Sequence, residues 1–135
     1  MTLQVELVNP EGELWAGEAQ LVIARTLDGE IGILTGHAPV IGILAEGSLV
    51  QIRPQNPGHP DVFAAVTGGF LSVNDNQVSV LARHGQMGTE VDPAAAQAVL
   101  DEAILAAGPL AGSPEEPAGL RYARALVAAA AGQPT

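Results

Sequence analysis

The stretch Asp28–Leu44, DGEIGILTGHAPVIGIL, sets four glycines and one histidine among isoleucines and leucines. A glycine-rich loop can cradle phosphate with its backbone N–H groups. This one lacks the G-x-G-x-x-G spacing and no Lys follows it. The chain has no Lys at all: its five cations are Arg25, Arg53, Arg83, Arg121 and Arg124. A phosphate-loop lysine, a Schiff-base lysine and a Ser-Lys dyad are therefore excluded. It has no Cys, which removes thiol catalysis, thiolate metal sites and disulfides. Gly29, Gly32 and Gly36 read instead as turn and bulge residues.

His37, His59 and His84 could hold a metal together with a carboxylate, but none falls at a short, ligand-like spacing from another. No G-x-S-x-G nucleophile turn occurs, and Ser48, Ser72 and Ser79 fall at ordinary turn or strand positions. The 15 acidic residues are scattered, with no acid/base couple among them, and read as a solvated surface. The residues point to no catalytic group, no metal site and no cofactor. A net charge of −10 opposes phosphate backbones and anionic lipid heads alike. Trp15, Phe63, Phe70 and Tyr122 are too few to form a stacking platform for single-stranded nucleic acid. Neither nucleic-acid binding nor direct lipid insertion is expected.

The elements that must position these residues change period once along the chain. Up to about Met87 the pattern is alternating. Leu3, Val5 and Leu7 oppose Gln4 and Glu6; Val50 and Ile52 oppose Leu49 and Gln51; Val78, Val80 and Ala82 oppose Ser79, Leu81 and Arg83. QLVIART is apolar on both faces, as for a strand between two sheets. NPEGE, the Asp28-Gly29 pair, EGS and NDN mark hairpin turns, and RPQNPGHPD reads as a Pro-rich surface loop. Many short strands joined by hairpins predict an antiparallel sandwich or barrel.

After Thr89 the period becomes helical. Asp92 is placed as an N-cap with Pro93 at the first helical position, and Ala96, Val99, Leu100, Ala103 and Ala107 form one stripe before Gly108-Pro109 ends the helix. A second helix follows, with Ser113 and Glu116 at capping-box spacing and Pro117 offering an alternative start. The Ala-rich faces bury little area and predict a hairpin docked only marginally. The N-terminus MTLQVELV is no signal peptide, and no apolar run approaches the ~20 residues of a membrane span. A soluble, cytosolic domain without its own active site is expected, which favours an interaction module. A freestanding small-ligand or metal-binding β-sandwich is the alternative.

DGEIGILTGHAPVIGILAEG resembles the signature segment of the epsilon subunit of bacterial and chloroplast F-type ATP synthases. That family reads roughly DGEIGILPGHAP followed by an apolar strand and a Gly; Thr35 stands here where Pro is usual. VELVNPEGELWAGEAQLVIARTLDGE and AAVTGGFLSVNDNQVSVLA are similar to two further segments of the family, so the likeness covers residues 3–92 in detail and the hairpin in outline.

The resemblance implies an antiparallel ten-stranded β-sandwich over residues 1–88 and a two-helix antiparallel hairpin over 89–135. It implies a rotor subunit at the cytoplasmic face of the bacterial membrane, with gamma and the c-ring as partners. The subunit would couple proton flow to ATP synthesis and touch alpha and beta transiently through its helices. Glu30 would face the c-ring; His37 and Gly42 would face gamma. Relatives that bind ATP do so through I/L-D-x-x-R-A, which here reads VDPAAA: Asp92 is kept, and Ala95 stands where Arg would. With the cation gone, Asp92, Arg121 and Arg124 remain only as weak nucleotide contacts, and no physiological ATP binding is expected. Two Arg in the last helix against Glu115 and Glu116 leave it almost uncharged, unlike the basic helices of strongly inhibiting relatives.

Overall fold

The computed structural model describes residues 2–133. Among them lie seven strands: β1 (Leu3–Asn9), β2 (Gly12–Thr26), β3 (Gly29–Ile33), β4 (Val40–Ile43), β5 (Ser48–Pro54), β6 (Val62–Asn74) and β7 (Gln77–Met87). Two helices follow, α1 (Pro93–Ala107) and α2 (Ala118–Ala131). Every strand pair is antiparallel except β1 with β7, whose parallel register makes the sheet mixed.

The expected ten strands and the observed seven are reconciled by the three longest, each of which serves two neighbourhoods. β2 pairs with β1 up to Ala19 and with β3 and β5 from there on. β6 pairs with β5 over its first residues and with β4 over its last. β7 pairs with β1 only as far as Leu81. Counted by halves, these three give ten segments. Where the long strands pass from one partner to the next, the sheet folds over a single core.

That core is aliphatic. Leu3, Leu7, Val22, Ile33, Val50, Ile52, Leu71 and Val80 are wholly buried, on the faces that alternation assigns to them. QLVIART differs from its expectation. Val22 and Ala24 are buried, while Leu21 and Ile23 on the other face are only half-covered. The segment after β4 closes one side: Leu27 N donates to Ile43 O, Ala45 N to Arg25 O and Leu44 N to Gly69 O, stitching the β2–β3 hairpin to β6.

α1 begins as predicted, with Asp92 Oδ1 accepting from Ala94 N at 3.0 Å and Pro93 in the first turn. α2 begins after Pro117; Ser113 and Glu116 form no capping box. Glu116 accepts instead from Gly112 N at 2.7 Å, and the Ser113 hydroxyl donates to Leu110 O. α2 lies between the sandwich and α1. Leu100, Leu120 and Ala123 form the small core between the helices. Val99 was expected on the buried stripe but is 51% exposed, because α1 is an outer layer covered on one side only.

Two polar ties hold α2 to the sandwich beyond what the Ala-rich stripe offers: Arg121 donates to the Glu46 carbonyl, and the Tyr122 hydroxyl reaches Gln86. Within the hairpin, Arg124 donates to Glu116 at 2.9 and 3.1 Å and Arg121 to the Glu116 carbonyl, which fixes the start of α2. Two glycines of the sandwich let the helix come close. At Gly47, which has φ +67, a Cβ would stand 2.5 Å from Tyr122 N and 2.7 Å from Ala118 O.

Candidate docking surface

Glu30 sits on β3, the edge strand that pairs with β2 alone. It lies opposite Arg25 in the register, and its carboxylate comes within 3.8 Å of that guanidinium. Both side chains are more than half exposed. Such a loose pair in water contributes little, so the Glu30 carboxylate stays available to a cation from outside.

His37 lies in the loop between β3 and β4. Its Nδ1 is 2.7 Å from Ala38 O, so the proton sits on Nδ1, which donates to that carbonyl. The loop is also pinned from below, where Gly36 N donates to Asn76 Oδ1 at 2.7 Å. His37 therefore shapes the loop whether or not it touches a partner.

Gly42 pairs with Leu71 on β6, and the position its Cβ would take is 3.0 Å from Thr26 Cγ2. Its bare side faces inward, against the Thr26 that caps the β2–β3 turn. The neighbours on either side of Gly42 then face outward. Ile41 is 75% exposed and Ile43 is 60% exposed. Ile43 pairs with Phe70, itself 44% exposed, and Leu27 at the hairpin tip joins them through its bond to Ile43 O.

Leu27, Ile41, Ile43 and Phe70 thus make a continuous apolar strip on one edge. Monomeric surfaces seldom leave such a group uncovered unless something docks there. His37 and Gly42 come from the resemblance alone, and the strip beside them is not among the residues it implies. The one available signal was VIGIL, a short strand with no polar face at all.

The other candidates are not brought together. Asp92 caps α1, whereas Arg121 and Arg124 lie in the first half of α2 and converge on Glu116. The hydrogen bonds from Arg124 hold the Glu116 carboxyl below its usual range. His37, His59 and His84 occupy three different segments, and among the described residues no three His, Asp or Glu side chains gather as metal ligands. No described helix is long and apolar enough to cross a membrane.

The described residues form a folded β-sandwich with a helical hairpin and an exposed apolar strip. Residues 2–87 match the family described as ATP synthase, Delta/Epsilon chain, beta-sandwich domain, and the chain belongs to that family. It is 49% identical over 102 residues to the ATP synthase epsilon chain of Thermobifida fusca, covering 75% of this chain and 74% of that one. It is equally identical over 100 residues to the epsilon chain of Rhodococcus erythropolis, covering 74% and 80%. Its fold is similar to a chain in the mitochondrial ATP synthase of Euglena gracilis, with a TM-score of 0.73 at 22% identity, covering 96% of this chain and 81% of that chain. As an ATP synthase epsilon chain it is a non-catalytic subunit of that complex.

Proposed function

We propose that the chain forms the foot of the central stalk, gripping gamma along the Leu27–Ile43–Phe70 strip and meeting the c-ring near Glu30. It would sit at the cytoplasmic face of a bacterial membrane, held there by its partners, and transmit proton-driven rotation toward ATP synthesis. The exposed strip carries this reading. It lies beside Gly42 and the His37 loop, and burying its apolar area at roughly 25 cal/mol per Å² favours association. Glu30 supplies a carboxylate that a basic loop of the ring can reach. The core of the sandwich is built wholly from Leu3 to Met87, which supports residues 1–88 as a folding unit and 89–135 as the appended hairpin. That hairpin reaches alpha and beta only transiently. Co-expression of the full chain with the matching gamma subunit tests the reading. A stable one-to-one complex is expected, and two proteins that elute separately at micromolar concentration would overturn it.

The alternative, a small-ligand sandwich, has one observation in its favour. An apolar cleft of about 480 Å³ opens between Trp15, Phe63, Met87 and the end of α2. Its carboxylate, Asp61, is already engaged by Gln51 and Arg53, which leaves the cleft poor in polar groups to orient a ligand. A stoichiometric small molecule in the isolated protein would favour this second reading.

A further inference from the structure

Three of the five cations of this acidic chain line a single groove. Arg25, Arg83 and Arg121 come from β2, β7 and α2 and face a common space, with Glu46 the one carboxylate lining it. Gly68 and Gly69 provide a wall with no side chains, and the Arg83 guanidinium lies across the position a Gly68 Cβ would take. The groove runs directly into the apolar strip, since Leu27 and Ile43 line it too.

The intramolecular partners of Arg25 and Arg83 are weak competitors, and Arg121 keeps guanidinium N–H groups beyond the two it gives to the Glu46 and Glu116 carbonyls. Arg25 meets Glu30 only at 3.8 Å, and the Arg83–Glu46 pair at 2.7 Å is about half exposed on both sides. Exposed ion pairs contribute little to stability. A carboxylate that arrives with a partner and excludes water would form stronger, charge-assisted bonds to the same guanidiniums. The two remaining cations, Arg53 and Arg124, are paired elsewhere with Asp61 and Glu116, so the positive charge open to an acidic partner is concentrated here.

We propose that this groove receives an acidic segment of the gamma subunit, the same partner that covers Leu27 and Ile43, and that through Arg121 this segment also clamps α2 onto the sandwich. The proposal rests on the gamma-docking reading above and adds its electrostatic half. Arg121 and Pro114 belong to the hairpin side, so the groove is complete only while α2 is docked. Whatever binds the complete groove must then favour the docked state by linkage.

Titrating the full-length chain with purified gamma tests this. Affinity should fall about tenfold or more as salt rises from ~50 to ~300 mM, because screening acts on the exposed charges. The double variant Arg25→Gln/Arg83→Gln should lose about tenfold at low salt and most of the salt dependence. Arg53→Gln, a cation outside the groove, should change neither. Gamma should slow amide exchange along α2 in the wild type and fail to do so in Arg121→Gln. If gamma binds independently of salt and the double variant binds as well as wild type, the proposal fails while the docking reading stands. If gamma binds none of these proteins, the docking reading fails and takes the proposal with it. Tight binding of inorganic phosphate, with gamma affinity unchanged in the double variant, would mark a small-anion site and overturn the proposal.

Discussion

Gly88, in the short 3₁₀ turn after β7, packs directly against the backbone of Ala129 on α2, so that a Cβ at Gly88 would overlap the Ala129 carbonyl. The last turns of α2 rest on this point, as its first turns rest on Gly47. Small residues at both seats bring the helix close enough for Arg121 to reach Glu46 and for Tyr122 to reach Gln86.

Replacing Gly88 with Ala should therefore loosen α2 and leave the sandwich folded. Overpacking of this kind costs about 1–3 kcal/mol. Hydrogen exchange should show α2 amides protected less by that amount, with β5 and β6 amides unchanged. Equal protection of α2 in both proteins would mean that backbone shifts absorb the methyl group.

Acid should loosen the start of α2, where Glu116 is held by Arg124 and Gly112 within the hairpin. Arg124 and then Gly112 hold the Glu116 carboxyl below its ordinary value of 4.5. The stabilisation is therefore complete above that value and is lost as pH falls through the lowered one. α2 protection in the wild type should drop below about pH 4.5. Glu116→Gln should start lower at neutral pH and lose less in acid. Parallel pH profiles for the two proteins would assign the acid response to other carboxylates, Asp61 among them.

How far the sequence could carry this depended on the range of each interaction. The Asp75–Asn76 turn was legible because Asn and Asp tolerate positive φ, and both residues adopt it. The start of α1 was legible in Asp92 and Pro93 for the same local reason. The β2–β3 turn came out one residue early, at Leu27-Asp28, because Gly29 already pairs with Thr26. What stayed hidden depends on distant segments meeting. No spacing rule joins Glu46 to Arg121, or puts Phe70 beside Ile43. The ties from Arg121 to Glu46 and from Tyr122 to Gln86 are hidden for the same reason, since periodicity shows only the apolar stripe of the hairpin.

Those ties also bear on regulation. The hairpin has reason to stay docked: α2 carries Arg121 and Arg124 and no carboxylate, but both cations are already engaged, Arg124 by the Glu116 carboxylate and Arg121 by the carbonyls of Glu46 and Glu116. Its final two residues lie outside the described part of the chain. Deleting residues 109–135 should raise ATP hydrolysis by the purified complex about threefold or less, under ~0.7 kcal/mol of barrier. A rise of about tenfold would show that the helices restrain the enzyme by shape.

Glu30→Lys should weaken coupling between the ring and the stalk, measured as proton pumping per ATP hydrolysed in membrane vesicles. The swap places two cations together on the β2–β3 edge, at positions more than half exposed, so fold stability should change by under about 0.5 kcal/mol. Unchanged coupling and unchanged crosslinking to the ring would remove Glu30 from that contact.

The most direct measurement is the affinity of full-length Ile43→Asp for gamma by calorimetry, beside its melting temperature. Ile43 is 60% exposed and contributes little to the core, so the melting temperature should match the wild type. A carboxylate in the middle of a desolvated apolar strip should weaken binding by at least about 2 kcal/mol, a loss of some thirtyfold. Wild-type affinity in Ile43→Asp, with the protein folded, would contradict docking along the Leu27–Ile43–Phe70 strip.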